Sequence, residues 1–155
     1  MDSPPPQTVL APQILSHLNL LQGTDSSVQI AVIDRSRGEW EENYFIRGQK
    51  SSFDSVLHFA AAALLAILRH QGMTAEALGG LEAATCDPEP WMVAYDRSLR
   101  VGSALCFPGE DILGFRPPAE VHRLLWLEPK LSGTEECFAC ESATDFVLLY
   151  WHSAG

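Results

Sequence analysis

The sequence predicts an α+β domain in which a mostly antiparallel sheet of about five strands packs against a central apolar helix, with additional helices. Two observations indicate this class. Residues 57–68 contain a single polar side chain, His58, so a helix over 53–71 must be covered on most of its sides. Short runs with strand periodicity lie before and after this helix. The expected element order is α-β-β-α-(α)-β-β-α-β.

The first third of the chain predicts a helix followed by a hairpin. Apolar residues at helical spacing indicate a helix over 9–21, and Pro12 fits its first turn. Alternation over 27–34, a polar turn and a second run over 40–46 then indicate two antiparallel strands.

The central helix has recognisable boundary signals. Ser51 or Ser52 can cap its N-terminus, and Gly72 can end it because glycine adopts the left-handed conformation easily. A weak capping pattern predicts a short further helix over 74–82.

The second half of the chain predicts strands, one helix and a loop. Strand candidates lie at 91–95, 99–107 and 112–115. Pro117 and Pro118 indicate the start of a helix over 119–127, because proline is favoured in a first helical turn. Residues 130–136 are loop-like. The continuous apolar run 146–151 predicts a closing strand that is buried on both faces.

Composition and charge predict one acidic globular domain. The chain has 155 residues, of which 46% are hydrophobic and 19% charged, which is enough to bury a core without disulfides or metal. Residues 1–7 are expected to form a flexible proline-rich tail before a single domain over 8–155. The formal net charge of −10 disfavours nucleic acid and favours a basic partner. We recognise no secretory or membrane segment and expect a cytoplasmic location.

Cys137 and Cys140 are the strongest candidates for chemistry. Two cysteines three residues apart suit structural thiols, one Zn²⁺ ion or a redox pair. Glu135, Glu136 and Glu141 argue against redox use, because nearby negative charge raises thiol pKa values. The further zinc ligands would come from Cys86, Cys106, His122 or His152.

The order of a hairpin, a helix that opens near His58 and a later Cys-x-x-Cys is similar to that of zinc-dependent nucleobase deaminases. Those enzymes carry a proton-transferring Glu two residues after the His and a proline before the first Cys. Here Ala60 and Glu136 occupy these two positions. The resemblance implies the alternative function, a zinc-binding deaminase-like or Cys/His-dependent enzyme that uses Cys137 and Cys140.

The element order also resembles roadblock and profilin-like architectures, in which helices and sheets often mediate dimerisation. We therefore expect a small acidic protein-interaction or regulatory module: an adaptor, an assembly subunit, a dedicated chaperone or an immunity-type inhibitor. It would need no cofactor and no catalytic activity, and homodimerisation is a further option. The predicted partner surface is the first hairpin, where aromatic area meets acidic charge at Trp40, Glu41, Glu42 and Tyr44.

Overall fold

The structure is a computed structural model that describes residues 7–21, 28–35, 41–85, 122–142 and 144–153. The helices are α1 (Gln7–Leu21) and α2 (Val56–Gln71), with 3-10 helices at Lys50–Ser52 and Ala75–Leu78. The strands are β1 (Val28–Arg35), β2 (Glu41–Gln49), β3 (Glu82–Thr85), β4 (His122–Glu128), β5 (Thr134–Glu141) and β6 (Asp145–Ser153). The predicted strands at 91–95, 99–107 and 112–115 lie outside the described residues. The α+β class is confirmed.

All six strands form one antiparallel sheet in the order β1-β2-β6-β5-β4-β3. The described residues thus hold six strands where about five were expected. The last strand of the chain lies beside β2, so residues far apart in sequence become neighbours. Within the described residues, β1 and β3 are the two edges of this sheet.

Both helices pack on one face of the sheet, where the main hydrophobic core lies. This face carries alternate residues of the neighbouring strands β2 and β6, such as Tyr44 and Ile46 on β2 and Leu148 and Tyr150 on β6. The intervening residues, Phe45 among them, are also buried. Burial on both faces explains why the run that became β6 is continuously apolar instead of alternating.

Helix α2 begins and ends at clear capping residues. The Ser55 hydroxyl accepts a hydrogen bond from the His58 backbone N–H at 3.2 Å, and Gly72 ends the helix with φ 70°. The helix therefore begins three residues after the predicted start, and Ser55 replaces Ser51 or Ser52 as the cap. Ten of its sixteen residues are buried, so only a narrow strip and the C-terminal turn reach solvent.

The predicted helix over 119–127 is wrong where the structure describes it, because residues 122–128 form strand β4. Leu124, Leu125 and Leu127 are all buried, which places apolar residues on both faces of the strand. A short apolar run of this kind does not distinguish a strand from a helix by periodicity alone.

The segments 130–136 and 74–82 also differ from the prediction. The expected loop over 130–136 ends early, because β5 begins at Thr134. The expected helix over 74–82 shrinks to the 3-10 helix Ala75–Leu78, and Glu82 already belongs to β3. No helix in the described part of the chain is both long and apolar enough to cross a membrane.

Candidate functional site

The candidate site is a cleft at one end of the sheet, beside the C-terminal end of α2. A cavity of about 390 Å³ is lined by Glu42, His70, Gln71, Met73 and His152. We call these five residues the Glu42 cleft. They come from the start of β2, from the end of α2 with the turn after it, and from the end of β6.

The register of the neighbouring strands β2 and β6 creates the core of this cleft. Strands β2 and β6 pair antiparallel, so Glu42 stands directly opposite His152. The Glu42 Oε1 atom lies 2.8 Å from His152 Nε2. The left-handed Gly72 ends α2 next to this pair, which places Gln71 and Met73 at the same cavity.

A hydrogen-bond network fixes the Glu42 carboxylate. The Tyr44 hydroxyl donates to Glu42 Oε1 at 2.8 Å, and Gln71 Nε2 donates to the Tyr44 oxygen at 3.1 Å. Gln71 Nε2 also lies 3.3 Å from His152 Nε2. The side chains of Glu42 and His152 are only 13% and 8% exposed, so these contacts hold the carboxylate in one position.

Stacked and edge-on rings form the wall behind the network. Tyr150 stacks on His152 with ring centroids 5.2 Å apart, and Tyr44 meets His70 edge-on at 5.5 Å. Tyr44 itself is 1% exposed. Its part in the cleft is therefore to hold Glu42 and not to offer surface to a partner.

The four hairpin residues predicted as a partner surface differ in how far the structure describes them and in where it places them. Trp40 lies outside the described residues, and Glu41 is described only as the first residue of β2. Glu42 lines the cleft and Tyr44 is buried beneath it. The assignment of Trp40, Glu41 and Glu42 to a partner surface stays a prediction, with Glu42 as the member that the structure places at a cavity, whereas the buried Tyr44 can contribute to it only through Glu42.

The structure places Cys137 and Cys140 on opposite faces of one strand, which does not favour the predicted alternative of a metal ion held by both. They lie on strand β5, where residues three apart project to opposite faces. Cys137 joins the core under the helices, opposite Tyr150, whereas Cys140 pairs with Val147 on the other face. The sequence did not reveal this, because the segment was not recognised as a strand.

Both thiols are also in the protonated, less reactive form. Burial raises the pKa of both, and the nearby Glu135 carboxylate raises the pKa of Cys137 further. Both cysteines are therefore neutral thiols near neutral pH, and the thiolate is the reactive form. Among the described residues, no group of three or more His, Cys, Asp or Glu side chains is placed to hold a metal ion.

His58, the residue that carries the deaminase resemblance, has a local structural role. Its Nδ1 atom accepts a hydrogen bond from the Asp54 backbone N–H at 3.1 Å, and its ring stacks on His17 with centroids 5.0 Å apart. Burial first, and the neighbouring His17 second, lower the pKa of His58, although Asp54 acts in the opposite sense. His58 therefore helps to join the N-terminal turn of α2 to α1.

Three of the five cleft residues, His70, Gln71 and Met73, were not predicted from the sequence as site residues, and His152 was named only as a possible zinc ligand. One signal was present, since His152 is the first polar residue after the apolar run 146–151. A polar residue at the end of a buried strand marks a position where the strand reaches solvent or a site. Its pairing with Glu42 could not be predicted without the strand order.

No protein-family model, no curated protein and no solved structure matches this chain. Among the described residues, those of the Glu42 cleft are the ones that bear most directly on function.

Proposed function

We propose that this chain is a small acidic protein-interaction or regulatory module that acts without catalytic activity, as an adaptor, assembly subunit, dedicated chaperone or immunity-type inhibitor does. Its partner is a cytoplasmic protein with a basic surface. The Glu42 cleft receives one Lys or Arg side chain of that partner. The observation that carries the proposal is a carboxylate fixed by side chains at a cavity of about 390 Å³.

The charge of the chain supports a basic partner. There are 20 acidic residues against 10 basic ones, which gives a formal net charge of −10. Such a charge attracts a positively charged protein over several ångströms and repels the phosphates of nucleic acids. The net charge alone does not identify a binding site. The site is identified from the geometry of one particular carboxylate.

Glu42 has the geometry that a cationic side chain needs. Both of its hydrogen bonds go to Oε1, and within the described residues Oε2 has no hydrogen-bond partner. A guanidinium or ammonium group brings several N–H donors and forms its strongest bonds with a carboxylate. Because Glu42 is largely buried and already oriented, little side-chain entropy is lost on binding.

The rim of the cleft suits the aliphatic part of the same side chain. Met73 lines the cavity and is 38% exposed, which is unusual for a large apolar residue in the described part of this chain. Lys and Arg side chains lay their methylene groups along apolar surface while the charged end reaches a polar partner. Trp40 and Glu41 precede Glu42 in the chain, and we include them in the same partner surface.

The alternative of a zinc-dependent deaminase-like or Cys/His-dependent enzyme has less support. It requires Cys137 and Cys140 to act together, and they project to opposite faces of β5 as buried, neutral thiols. No observation on the described residues favours this alternative over the binding module.

The proposal is tested with a defined basic probe. A short peptide that contains Arg and Lys is titrated into the labelled protein and followed by heteronuclear NMR, beside a matched peptide with Gln at the basic positions. We expect the basic peptide alone to shift the amide signals of Glu42, Gln71 and His152. The Glu42→Gln variant should lose these shifts, because the neutral amide attracts a cation far less than a carboxylate does.

The matched control is Glu76→Gln, which removes the same charge from an exposed residue that does not line the cleft. It should leave the shifts unchanged. If Glu42→Gln and Glu76→Gln weaken binding equally, the peptide responds only to net charge and the assignment of the cleft is refuted. If neither peptide shifts these three amides, the proposal fails as a whole.

A further inference from the structure

A second cavity lies at the other end of β2 from the Glu42 cleft. It has a volume of about 380 Å³, which is within the range of small-molecule sites. Its described lining residues offer one basic and one acidic side chain, two amides, a hydroxyl and one glycine: Gln29, Arg47, Gly48, Gln49, Ser52 and Asp145. We call these six residues the Arg47 site. Because the described side chains that line it are all polar, a ligand of this site is polar throughout.

The strand register brings the two charged side chains of this site close together. In the pairing of β2 with β6, Arg47 stands opposite Val147 and Gln49 stands opposite Asp145, so Arg47 and Asp145 are diagonal neighbours on one face. The Cα atoms of diagonal neighbours are about 7–8 Å apart, a distance that long side chains can span. Within the described part of the chain, no ion pair joins these two side chains to each other. The cavity therefore presents two opposite charges that do not neutralise each other by direct contact.

The guanidinium group of Arg47 is oriented by Gln29 on the neighbouring strand. Gln29 stands opposite Arg47, and its Oε1 atom accepts hydrogen bonds from Arg47 Nε and Nη2 at 3.0 and 2.7 Å. A guanidinium carries its N–H donors in one plane, so two bonds to one oxygen fix the direction of that plane. Arg47 is half-buried at the cavity. A planar guanidinium in a fixed orientation is the side chain best suited to bind a carboxylate.

Asp145 is held by the turn between β5 and β6. The Ser142 hydroxyl accepts a hydrogen bond from the Asp145 backbone N–H at 3.0 Å, and the Ser142 backbone N–H donates to the Asp145 carbonyl oxygen at 2.8 Å. The Thr144 hydroxyl donates to Asp145 Oδ2 at 2.9 Å. Within the described residues, Oδ1 has no hydrogen-bond partner. This half-buried carboxylate can therefore accept bonds from an ammonium group in the cavity.

Gly48 allows a hydroxyl group to reach the same cavity. A Cβ atom at position 48 would lie 2.5 Å from the ring of Phe53, so glycine is needed for Phe53 to pack against β2 at this point. Ser52 directly precedes Phe53, and this packing brings it to the cavity. The Ser52 hydroxyl and the amide of the exposed Gln49 supply neutral donors and acceptors beside the two charges.

We propose that the Arg47 site binds a free α-amino acid with a polar side chain. The α-carboxylate pairs with Arg47, and the α-ammonium group pairs with Asp145. These two groups of an amino acid lie on one carbon atom, so both can contact the cavity walls at the same time. The side chain of the ligand exchanges hydrogen bonds with Gln49 and Ser52.

Charge selects a zwitterion over a ligand with one charge. A simple anion is repelled by Asp145 and by the net charge of −10 of the whole chain, and a simple cation is repelled by Arg47. An α-amino acid is neutral as a whole and carries one group of each sign. The basic side chain that we propose for the Glu42 cleft carries positive charge alone, so the two sites take different ligands and are tested separately.

Titration of the labelled full chain with L-glutamine, followed by heteronuclear NMR, tests the proposal. Two analogues keep one charge each: N-acetyl-L-glutamine keeps the carboxylate, and L-glutaminamide keeps the ammonium group. We expect L-glutamine to shift the amide signals of Arg47, Gly48 and Asp145 with a dissociation constant below about 1 mM, and both analogues to bind at least about 10-fold more weakly. If L-glutamine, L-asparagine and L-serine all leave these signals unchanged up to about 10 mM, the proposal is refuted. An analogue that binds as tightly as L-glutamine also refutes it.

Two variants test the pairing of each charge. Arg47→Gln and Asp145→Asn each remove one charge and keep a polar side chain, and each should raise the dissociation constant of L-glutamine at least about 10-fold. The matched controls are Arg69→Gln and Glu76→Gln, which remove the same charges from exposed residues that do not line the cavity, and they should leave binding unchanged. Circular dichroism checks that all four variants are folded. Unchanged binding in Arg47→Gln or in Asp145→Asn overturns the pairing, and an equal loss in the controls shows a response to net charge alone and overturns the site.

Discussion

Two tyrosine–glutamate pairs lie side by side on the adjacent strands β2, β6 and β5, and they differ in what else holds the carboxylate. Tyr44 and Tyr150 are cross-strand neighbours with rings 5.5 Å apart. Tyr44 donates its hydroxyl hydrogen to Glu42 at 2.8 Å, and Tyr150 donates to Glu135 at 3.2 Å. The same chemical pair therefore occurs twice in one layer of the fold.

Glu135 is held by backbone groups. It accepts hydrogen bonds at 2.7 to 3.0 Å from the backbone N–H groups of Lys130, Leu131 and Ser132. These bonds close the turn between β4 and β5, where Lys130 has the left-handed φ of 60°. Glu42 instead contacts only side chains and lies at a cavity. A carboxylate that accepts its hydrogen bonds from nearby backbone N–H groups stabilises the fold. A carboxylate that is held by side chains at a cavity can bind another molecule.

The largest expected effect follows from removing the backbone-bound carboxylate. Glu135→Ala leaves three N–H groups and the Tyr150 hydroxyl without their acceptor, and Lys130 loses the bond that supports its left-handed conformation. We expect the free energy of unfolding to fall by about 2 kcal/mol and the melting temperature by about 6 °C. Urea and thermal unfolding measure both quantities.

The exposed carboxylate of Glu76 provides the control for this measurement. Glu76→Ala should change the free energy of unfolding by less than about 0.5 kcal/mol. Equal losses for the two variants would mean that Glu135 contributes only its charge, and the contrast between the two tyrosine–glutamate pairs would disappear.

A smaller stability effect is expected at the cleft. Glu42→Gln keeps an oxygen that can accept from Tyr44, and the cavity gives His152 access to water. We expect a loss of about 1 kcal/mol in the free energy of unfolding, measured in the same urea experiments. Binding of the basic peptide should be lost nevertheless. A stability loss above that of Glu135→Ala would make Glu42 a structural residue and reverse the comparison.

The sequence predicted the parts of the fold that depend on local periodicity. The apolar helix and the first hairpin follow from patterns within single windows, and both are present as α2 and as β1 with β2. The prediction of a helix over 119–127 was wrong because adjacent leucines fit a helix and a strand that is buried on both faces equally well. The strand that contains Cys137 and Cys140 was missed for a different reason, because its first three residues lie in the segment 130–136, where a loop was predicted.

The candidate site could be predicted only in part, for a related reason. Glu42 and Tyr44 were singled out because aromatic area and acidic charge coincide in the hairpin. His152 joins them from 110 residues away through the pairing of β2 with β6. Strand order depends on long-range packing, which composition and spacing do not encode, so the partners of Glu42 required the fold.

The two tyrosine hydroxyls offer a finer comparison. Tyr44→Phe removes the donor to Glu42 and the acceptor of Gln71, so two contacts are lost. Tyr150→Phe removes one donor from Glu135, which keeps its three backbone N–H groups. We expect losses of about 1 kcal/mol for Tyr44→Phe and about 0.5 kcal/mol for Tyr150→Phe in the free energy of unfolding. The reverse order would show that the hydroxyl of Tyr150 matters more to Glu135 than the backbone does.

The smallest effect is expected at His58, which lies near a third, solvent-exposed carboxylate. It is a change of the melting temperature with pH. Asp54 is 90% exposed and its Oδ2 atom lies 3.9 Å from His58 Nδ1, too far and too well screened to hold a proton on the ring. Burial and then His17 lower the pKa of His58 below its ordinary 6.5. The Nδ1 atom also accepts the Asp54 backbone N–H, which requires the neutral ring.

The sign of the pH effect follows from this lowered pKa. In the unfolded chain His58 is protonated at about pH 6.5, whereas in the folded chain it is protonated only at a lower pH. The contribution of His58 to the free energy of unfolding is therefore complete above about pH 6.5 and is lost as the pH falls below that value. The melting temperature of the parent chain should therefore decline between about pH 7 and pH 5. His58→Phe should flatten this decline, and His70→Gln, at the exposed end of α2, should not. A decline that is identical in all three proteins would assign the pH dependence to other groups and show that His58 titrates as it does in the unfolded chain.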